Sequence, residues 1–251
     1  MQPKIKFIID KDKDFQTFEN FIKESKYDTS IIDWAFFKVY PDLKEYIKKG
    51  DGKNGQYYVA DINFIRTFID NEYAKNANLI GKNMQINEEA WKKKENTYFE
   101  LVSELFEEKY WPKGKYIAYA TIWGVYPRFL GDKTFQIPAI TKNAEFTVIV
   151  IAHETLHFIF YEYFLKNYPE YNLNDNSFFI WNVSEAFNEV IQNHPKWLKE
   201  FGIGCAIYGG RESLVKKLQK KYYRSSMIDS KKLIDDIIIE IKSSKKISIK
   251  D

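Results

Sequence analysis

The residues in this chain best placed to do chemistry are His153-Glu154-Thr155-Leu156-His157, two imidazoles and a carboxylate within one helical turn. They interrupt an apolar run, Val148-Ile149-Val150-Ile151-Ala152 before the motif and Phe158-Ile159-Phe160 after it. A helix so rich in Val, Ile and Phe is buried, and buried polar groups need compensation. A divalent metal supplies it. Residues four apart share a helix face, so His153 and His157 can bind one ion together. Glu154 lies roughly 100° round the helix, where it reaches a water on that ion rather than the ion itself. The chain has only 3 histidines, and two of them fall in this motif.

A catalytic zinc takes three protein ligands and leaves a position for water. An H-E-x-x-H-x-x-G-x-x-H pattern would supply a third histidine from the same helix, but Phe160 and Tyr163 stand where it needs Gly and His. Glu162 falls on the opposite side of the helix. Cys205 would be a ligand in a deformylase-like site, yet the glycine-rich segments that precede such a motif are missing. The third ligand is therefore sought in Trp181-Asn182-Val183-Ser184-Glu185-Ala186-Phe187-Asn188-Glu189-Val190. Glu185 and Glu189 are four apart and face one side of a helix whose other side carries Phe187, Val190 and Ile191. Two carboxylates turned the same way repel each other unless a cation lies near them. Glu185 is assigned as the third ligand, with Glu189 accepting the second ring N–H of His153 and fixing its tautomer. The two roles can also be exchanged. His194, beside Pro195 at a helix end, is a rival ligand or transition-state donor.

Elements must hold these residues. Lys4 to Ile9 reads as a strand and Phe15 to Ser25 as a helix. Ile31 to Lys49 reads as a second helix stopped at Gly50-Asp51-Gly52, and Tyr57 to Tyr73 as a third, with a strand also open there. Asn87 is the expected N-cap of an amphipathic helix over Glu88 to Lys109. The character changes at Trp111-Pro112-Lys113-Gly114, which divides a mainly helical region, 1–111, from a region over 112–251 that carries the motif. Tyr116 to Tyr126 and Lys133 to Ile140 read as the two strands of a hairpin turning at Gly131-Asp132, and Pro138 marks the second as an edge. The metal helix is expected over about Asn143 to Lys166, and Pro169 to Asn176 as a polar loop. Helices then follow over Phe178 to Asn193, Arg211 to Tyr223 and Asp229 to Ile241. The class is α+β.

The 251 residues can bury a sizeable core, and 45% hydrophobic with 18% aromatic residues is a globular composition. Lys+Arg number 38 against 35 Asp+Glu, and a net +3 gives no electrostatic case for nucleic acid. One cysteine permits no intrachain disulfide and is compatible with a reducing compartment. The N-terminal apolar segment is too short for the core of a signal peptide, and no run approaches the roughly 18 apolar residues of a membrane span. A cytoplasmic protein without a membrane span is expected.

HETLH followed by Ser184-Glu185-Ala186-Phe187-Asn188-Glu189 resembles the gluzincin zinc metalloproteases, peptidase-MA-like, in which H-E-x-x-H is followed by an N-E-A-x-x-D-type segment on a second helix. Here Ser replaces the Asn and Glu the final Asp, which keeps the acceptor chemistry but lengthens the arm. The resemblance covers about Thr134 to Asn193. It implies a zincin-like fold with a small antiparallel sheet or hairpin packed on the active-site helix, a Zn(2+) cofactor, and a peptide or protein substrate. It also implies an edge strand that holds substrate, for which Thr134, Phe135, Gln136, Ile137 and Pro138 occupy the right place. A Tyr or His donor from the C-terminal part is implied as well; Tyr208, Arg211, Tyr222 and Tyr223 are candidates beside His194. Hydrolysis of peptide bonds with Glu154 as general base is the leading expectation. A zinc-stabilised non-catalytic binding or regulatory protein, and a metallohydrolase acting on another amide or ester, stand beside it.

Overall fold

The computed structural model describes residues 2–23, 29–49, 57–59, 61–225 and 228–244. In chain order the elements are β1 (Ile5–Ile8), α1 (Lys11–Lys23), α2 (Thr29–Ile32), β2 (Ile47–Lys49), β3 (Tyr57–Val59), α3 (Ile62–Lys75) and α4 (Ala77–Leu105). There follow β4 (Tyr116–Thr121), β5 (Arg128–Phe129), β6 (Thr134–Pro138), α5 (Ala144–Asn167), α6 (Leu173–Gln192), α7 (Pro195–Phe201), α8 (Glu212–Tyr222) and α9 (Ser230–Ser243). The described chain is mostly helical with a small mixed sheet and a separate two-stranded antiparallel pair, an arrangement compatible with α+β.

The expected helix over Ile31–Lys49 breaks into a π-helical turn (Asp33–Phe37), a 3-10 turn (Pro41–Glu45) and β2. Pro41 is the reason: it lacks an N–H and forces Tyr40 out of helical geometry, to φ −132° and ψ 82°. The expected stop at Gly50-Asp51-Gly52 and the end of the first helix at Ser25 lie outside the described residues. In the Tyr57–Tyr73 stretch, β3 pairs antiparallel with β2, and α3 starts where the Asp61 side chain caps the Asn63 N–H at 2.9 Å. Asn87 does not cap a helix. It lies inside α4, fully buried, with its amide nitrogen 3.4 Å from the Pro138 carbonyl.

The four-stranded sheet has the order β1-β4-β6-β5. β4 and β6 are parallel, not the two arms of a hairpin. The antiparallel partner of β6 is the short β5, joined to it through Gly131-Asp132, with Lys133 in the left-handed region at φ 55°. β6 is also not an edge. Neighbours flank it on both sides, all its residues are buried, and the Gln136 N–H bonds the Pro127 carbonyl at 3.0 Å. A strand buried on both faces loses the polar alternation that would distinguish it. Thr134, Phe135 and Gln136 are therefore covered on the side where a substrate edge is expected, while the pairing with β5 does not extend to Ile137 and Pro138.

The chain divides into two compact units; one of their boundaries falls at Gly114/Lys115, close to residue 112, but neither unit is a single continuous stretch. One unit comprises Lys4–Glu89 with Lys115–Thr147, the other Met1–Pro3 with Ala90–Gly114 and Val148–Asp251. β4 groups with the N-terminal residues because its parallel neighbour is β1.

In the first of these units a buried polar network joins α1 to the sheet. Asp14 Oδ2 accepts from the Tyr73 hydroxyl (2.8 Å) and the Ile122 N–H (2.9 Å), and Oδ1 accepts from Gln136 Nε2 (2.8 Å). Gln136 Oε1 in turn accepts from Thr17 Oγ1 at 2.7 Å, and the Asp14 carbonyl from the Trp123 indole at 2.9 Å. Burial pushes the Asp14 carboxyl up to about 6, against donors, Thr121 among them, that pull it down. Trp123 continues this network into an aromatic cluster with Phe18, Phe36 and Tyr40.

In the other unit Phe160 of α5 packs on Phe164 and on Phe187 of α6, and Phe106 covers Phe187. Thr155 Oγ1 donates to the Ile151 carbonyl (2.6 Å) and lies 2.8 Å from the Tyr98 hydroxyl oxygen.

Candidate metal centre

α5 begins where the Asn143 side chain accepts from the Glu145 N–H at 2.8 Å. The helix is apolar all round, as a core helix is. By length and composition alone α5 is able to cross a membrane, but 78% of its most apolar window is buried inside the protein. α6 begins at Asn172, whose side chain accepts from the N–H groups of Asn174 and Asp175. Its first turn is interrupted at Asn176, which leaves helical geometry, and the helix then runs on to Gln192.

The two helices bring His153, His157 and Glu185 together. The two Nε2 atoms lie 3.0 Å apart; Glu185 Oε2 is 3.3 Å from that of His153, and Oε1 is 3.4 Å from that of His157. Four-coordinate zinc, with bonds of roughly 2.0–2.1 Å in tetrahedral geometry, sets its ligand atoms about 3.3 Å from one another. The two Nε2 atoms and the Glu185 oxygen nearer to each come close to that spacing, one donor atom from each residue lies within 4.8 Å of the others, and the three residues are able to hold a metal ion. His157 and Glu185 are closed to solvent, whereas the His153 side chain keeps 13% exposure, so the centre opens on its side.

His153 Nδ1 lies 2.8 Å from Gln192 Oε1. An amide oxygen only accepts, so Nδ1 carries the proton and the Nε2 lone pair turns to the cluster. The Asn188 amide donates to the His153 carbonyl at 3.0 Å and ties the same turn of α5 to α6. Burial pushes the His153 imidazole down, but the Cys205 thiol contact and the Glu185 and Glu154 carboxylates outweigh it and lift it well above its ordinary value. The negative potential that raises proton affinity there also attracts a cation. Glu154 is buried, next in the chain to His153, and outside the ligand set.

Glu189 does not serve His153. Its carboxylate accepts from Arg211 Nε (3.1 and 3.2 Å), from Arg211 Nη2 (3.0 Å) and from the Tyr208 N–H (2.9 Å). Burial raises this carboxyl, and the Arg211 charge opposes the rise. The helix period explains the exchange of roles. Four residues carry a side chain about 40° past that of Glu185, whereas seven bring it back to within about 20°, so Gln192 sits nearer the face turned to His153.

The residues considered as donors have other engagements. Arg211 is taken up by Glu189 and by Asn182 Oδ1 (3.2 Å). The Tyr222 hydroxyl bonds the Asp236 carboxylate, and that of Tyr223 the Val190 carbonyl at 3.0 Å. His194 caps α7, its Nδ1 accepting the Lys196 N–H at 3.2 Å. Tyr208 is 49% exposed, with its ring 6.2 Å from that of Trp181 and 4.9 Å from the Arg211 guanidinium carbon.

Sequence reasoning missed Gln192, Asn188 and the place of Cys205. The i, i+7 relation of Glu185 and Gln192 is a signal that was there to find; Cys205 has none beyond Gly204 before it. A side chain at Gly204 would meet Asn193 Oδ1 at 2.2 Å and the Gln192 carbonyl at 2.8 Å, so glycine is what lets this segment lie close against the end of α6. Comparison with protein-family models, with curated proteins and with solved structures finds no match to this chain.

Proposed function

We propose that the protein is a zinc-dependent peptidase of gluzincin-like, zincin-like design. The observation that carries this reading is the convergence of His153 Nε2, His157 Nε2 and the Glu185 carboxylate at zinc spacing, with Glu154 beside them and outside the ligand set. Two imidazoles and one carboxylate suit zinc and leave a coordination position open, as hydrolytic sites do. A bound zinc supplies Lewis-acid polarisation of the scissile carbonyl and lowers the pKa of a coordinated water toward roughly 7.

The chain's own residues supply the rest. Glu154 accepts a proton from the attacking water on a carboxylate oxygen as the new C–O bond forms. It hands that proton to the amine nitrogen as the C–N bond breaks. Gln192 keeps His153 in the tautomer that presents Nε2, and Asn188 holds the backbone that carries it. The protein departs from the resembled pattern here, because a neutral amide seven residues after Glu185 takes the place of an acid four residues after it.

Purified protein is expected to retain about one zinc per chain. Glu154→Gln keeps the zinc and loses hydrolysis of a mixed peptide library by about 10²-fold or more. Stoichiometric zinc in a His153→Ala/His157→Ala double variant, or full peptidase activity in Glu154→Gln, sinks the reading.

A further inference from the structure

Phe178, Trp181 and Glu185 follow one another at spacings of three and four along α6, so they share a face of that helix. Phe178 is 51% exposed and its ring stacks on Trp181 at 5.6 Å; Trp181 meets the ring of the half-exposed Tyr208 at 6.2 Å. Together the three rings form an aromatic row, two of them on the helix that supplies Glu185 and Tyr208 from the segment between α7 and α8. At about 1.5 Å of rise per residue, Trp181 lies about 6 Å and Phe178 about 10 Å along the axis from Glu185. An extended peptide covers roughly 3.3–3.6 Å per residue, so the row falls within two or three residues of a bond held at the metal centre.

The row is built on a rigid base. The Arg211 guanidinium carbon lies 5.1 Å from the Trp181 ring and 4.9 Å from that of Tyr208. It is fixed from beneath by the fully buried Glu189, which also takes the Tyr208 N–H. Burying such a pair is costly. Core packing alone gives no reason to place it under half-exposed rings, whereas holding a recognition surface still does. Arg211 spends its Nε, Nη1 and Nη2 donors on Glu189 and Asn182, so its charge is neutralised and does not select an acidic group.

We infer that the Phe178–Trp181–Tyr208 row, clamped by the Glu189–Arg211 pair, is the specificity subsite of the metal centre and takes a neutral aromatic or large aliphatic side chain of a polypeptide. Glu189 and Arg211 are positioning residues in this scheme. The inference rests on the peptidase reading for the polypeptide nature of the ligand.

The test uses blocked alanine hexapeptides carrying a single Phe, or a single Glu, at each position in turn. Calorimetry measures their binding to zinc-loaded Glu154→Gln protein. The expected result is one Phe position that binds about tenfold tighter than the all-alanine peptide, with no such gain for Glu. Adding Trp181→Ala removes that gain, and adding Phe178→Ala, at a position 51% exposed, reduces it at least threefold. Equal binding of Phe, Glu and alanine peptides overturns the inference, as does a Phe preference that both variants keep. Cleavage of the same peptides by the unsubstituted protein separates the two readings. A Phe preference in binding without any cleavage leaves the subsite standing and removes the peptidase; cleavage without a Phe preference does the reverse.

Discussion

Asp14 and Glu185 are both almost wholly shielded from solvent, at 0% and 1% exposure, yet their neighbours differ in kind. Around Asp14 stand donors: a phenol, a backbone N–H and a side-chain amide, each within 2.9 Å. Such a carboxylate is complete. Glu185 faces the Nε2 atoms of two histidines, and one of these is held by Gln192 in the tautomer that turns a lone pair toward the carboxylate. Such a cluster gathers negative potential, which a proton on an imidazole or a bound cation offsets. Burial is therefore no guide to function by itself; the sign of the groups around a buried charge is.

The contrast is broken or sharpened most strongly by chelation. If Glu185 sits in a metal centre, zinc at about a thousand times its dissociation constant adds about 4 kcal/mol to stability. Thermal melts with and without chelator measure it, and the His153→Ala/His157→Ala variant should show no difference. The next effect concerns pH. The Asp14 pKa is raised in the folded state, from 3.8 to about 6, so the native protein holds that proton to higher pH than the unfolded chain does. Stability from this group is then fully present below about pH 4 and is lost as pH rises through about 6, on the order of 3 kcal/mol. Denaturant titrations of the natural chain and of Asp14→Asn at pH 4 and pH 7 isolate it. The advantage of the natural chain over the variant should shrink as pH rises; a growing advantage contradicts the sign.

Asp14→Asn itself, at pH 7, turns an amide NH₂ toward a donor and should cost about 2 kcal/mol, equally with and without chelator. A chelator-dependent cost would erase the distinction between the two carboxylates. Gln192→Ala should weaken zinc binding about tenfold or more while changing the stability of the chelated protein little, as a competition titration against a zinc indicator would read. Smallest is a pair of glycine substitutions. Gly204→Ala, forced against the Gln192 carbonyl, should cost about 1 kcal/mol, whereas Gly131→Ala, with nothing near its new methyl, should stay within about 0.5 kcal/mol.

The asymmetry between the regions extends to what could be read before any coordinates. His153, Glu154 and His157 were legible because one helix carries them and helical spacing alone places them. Glu185 could be reached by asking what a pair of acids on a second helix would do. Gln192 could not, since its role depends on how α6 is rotated against α5, and a neutral amide has no charge to draw attention. The Asp14 network was invisible for a similar reason: its members come from α1, α3, β6 and the end of β4, with no common period. In the sheet, the two-residue β5 is too short to register, so the strands flanking it looked like hairpin partners when they are parallel. The failure at Ile31–Lys49 was of another sort, because Pro41 stood in plain view as a helix breaker.

The parallel pairing of β1 with β4, Ile5 opposite Tyr116, has a consequence in time. During synthesis the first strand leaves the ribosome long before its neighbour exists, and closing so wide a loop makes that contact entropically late and slow. The residues of the candidate metal centre emerge later still, His153, His157 and Glu185 first and then Gln192, which contacts His153. The nascent chain thus carries β1 unpaired until Tyr116–Thr121 have been made, a stage at which chains are prone to stick to one another. A fragment begun at residue 112 would escape that wait only by discarding what it needs, since it retains β4 without β1 and Thr155 without the Tyr98 hydroxyl beside it.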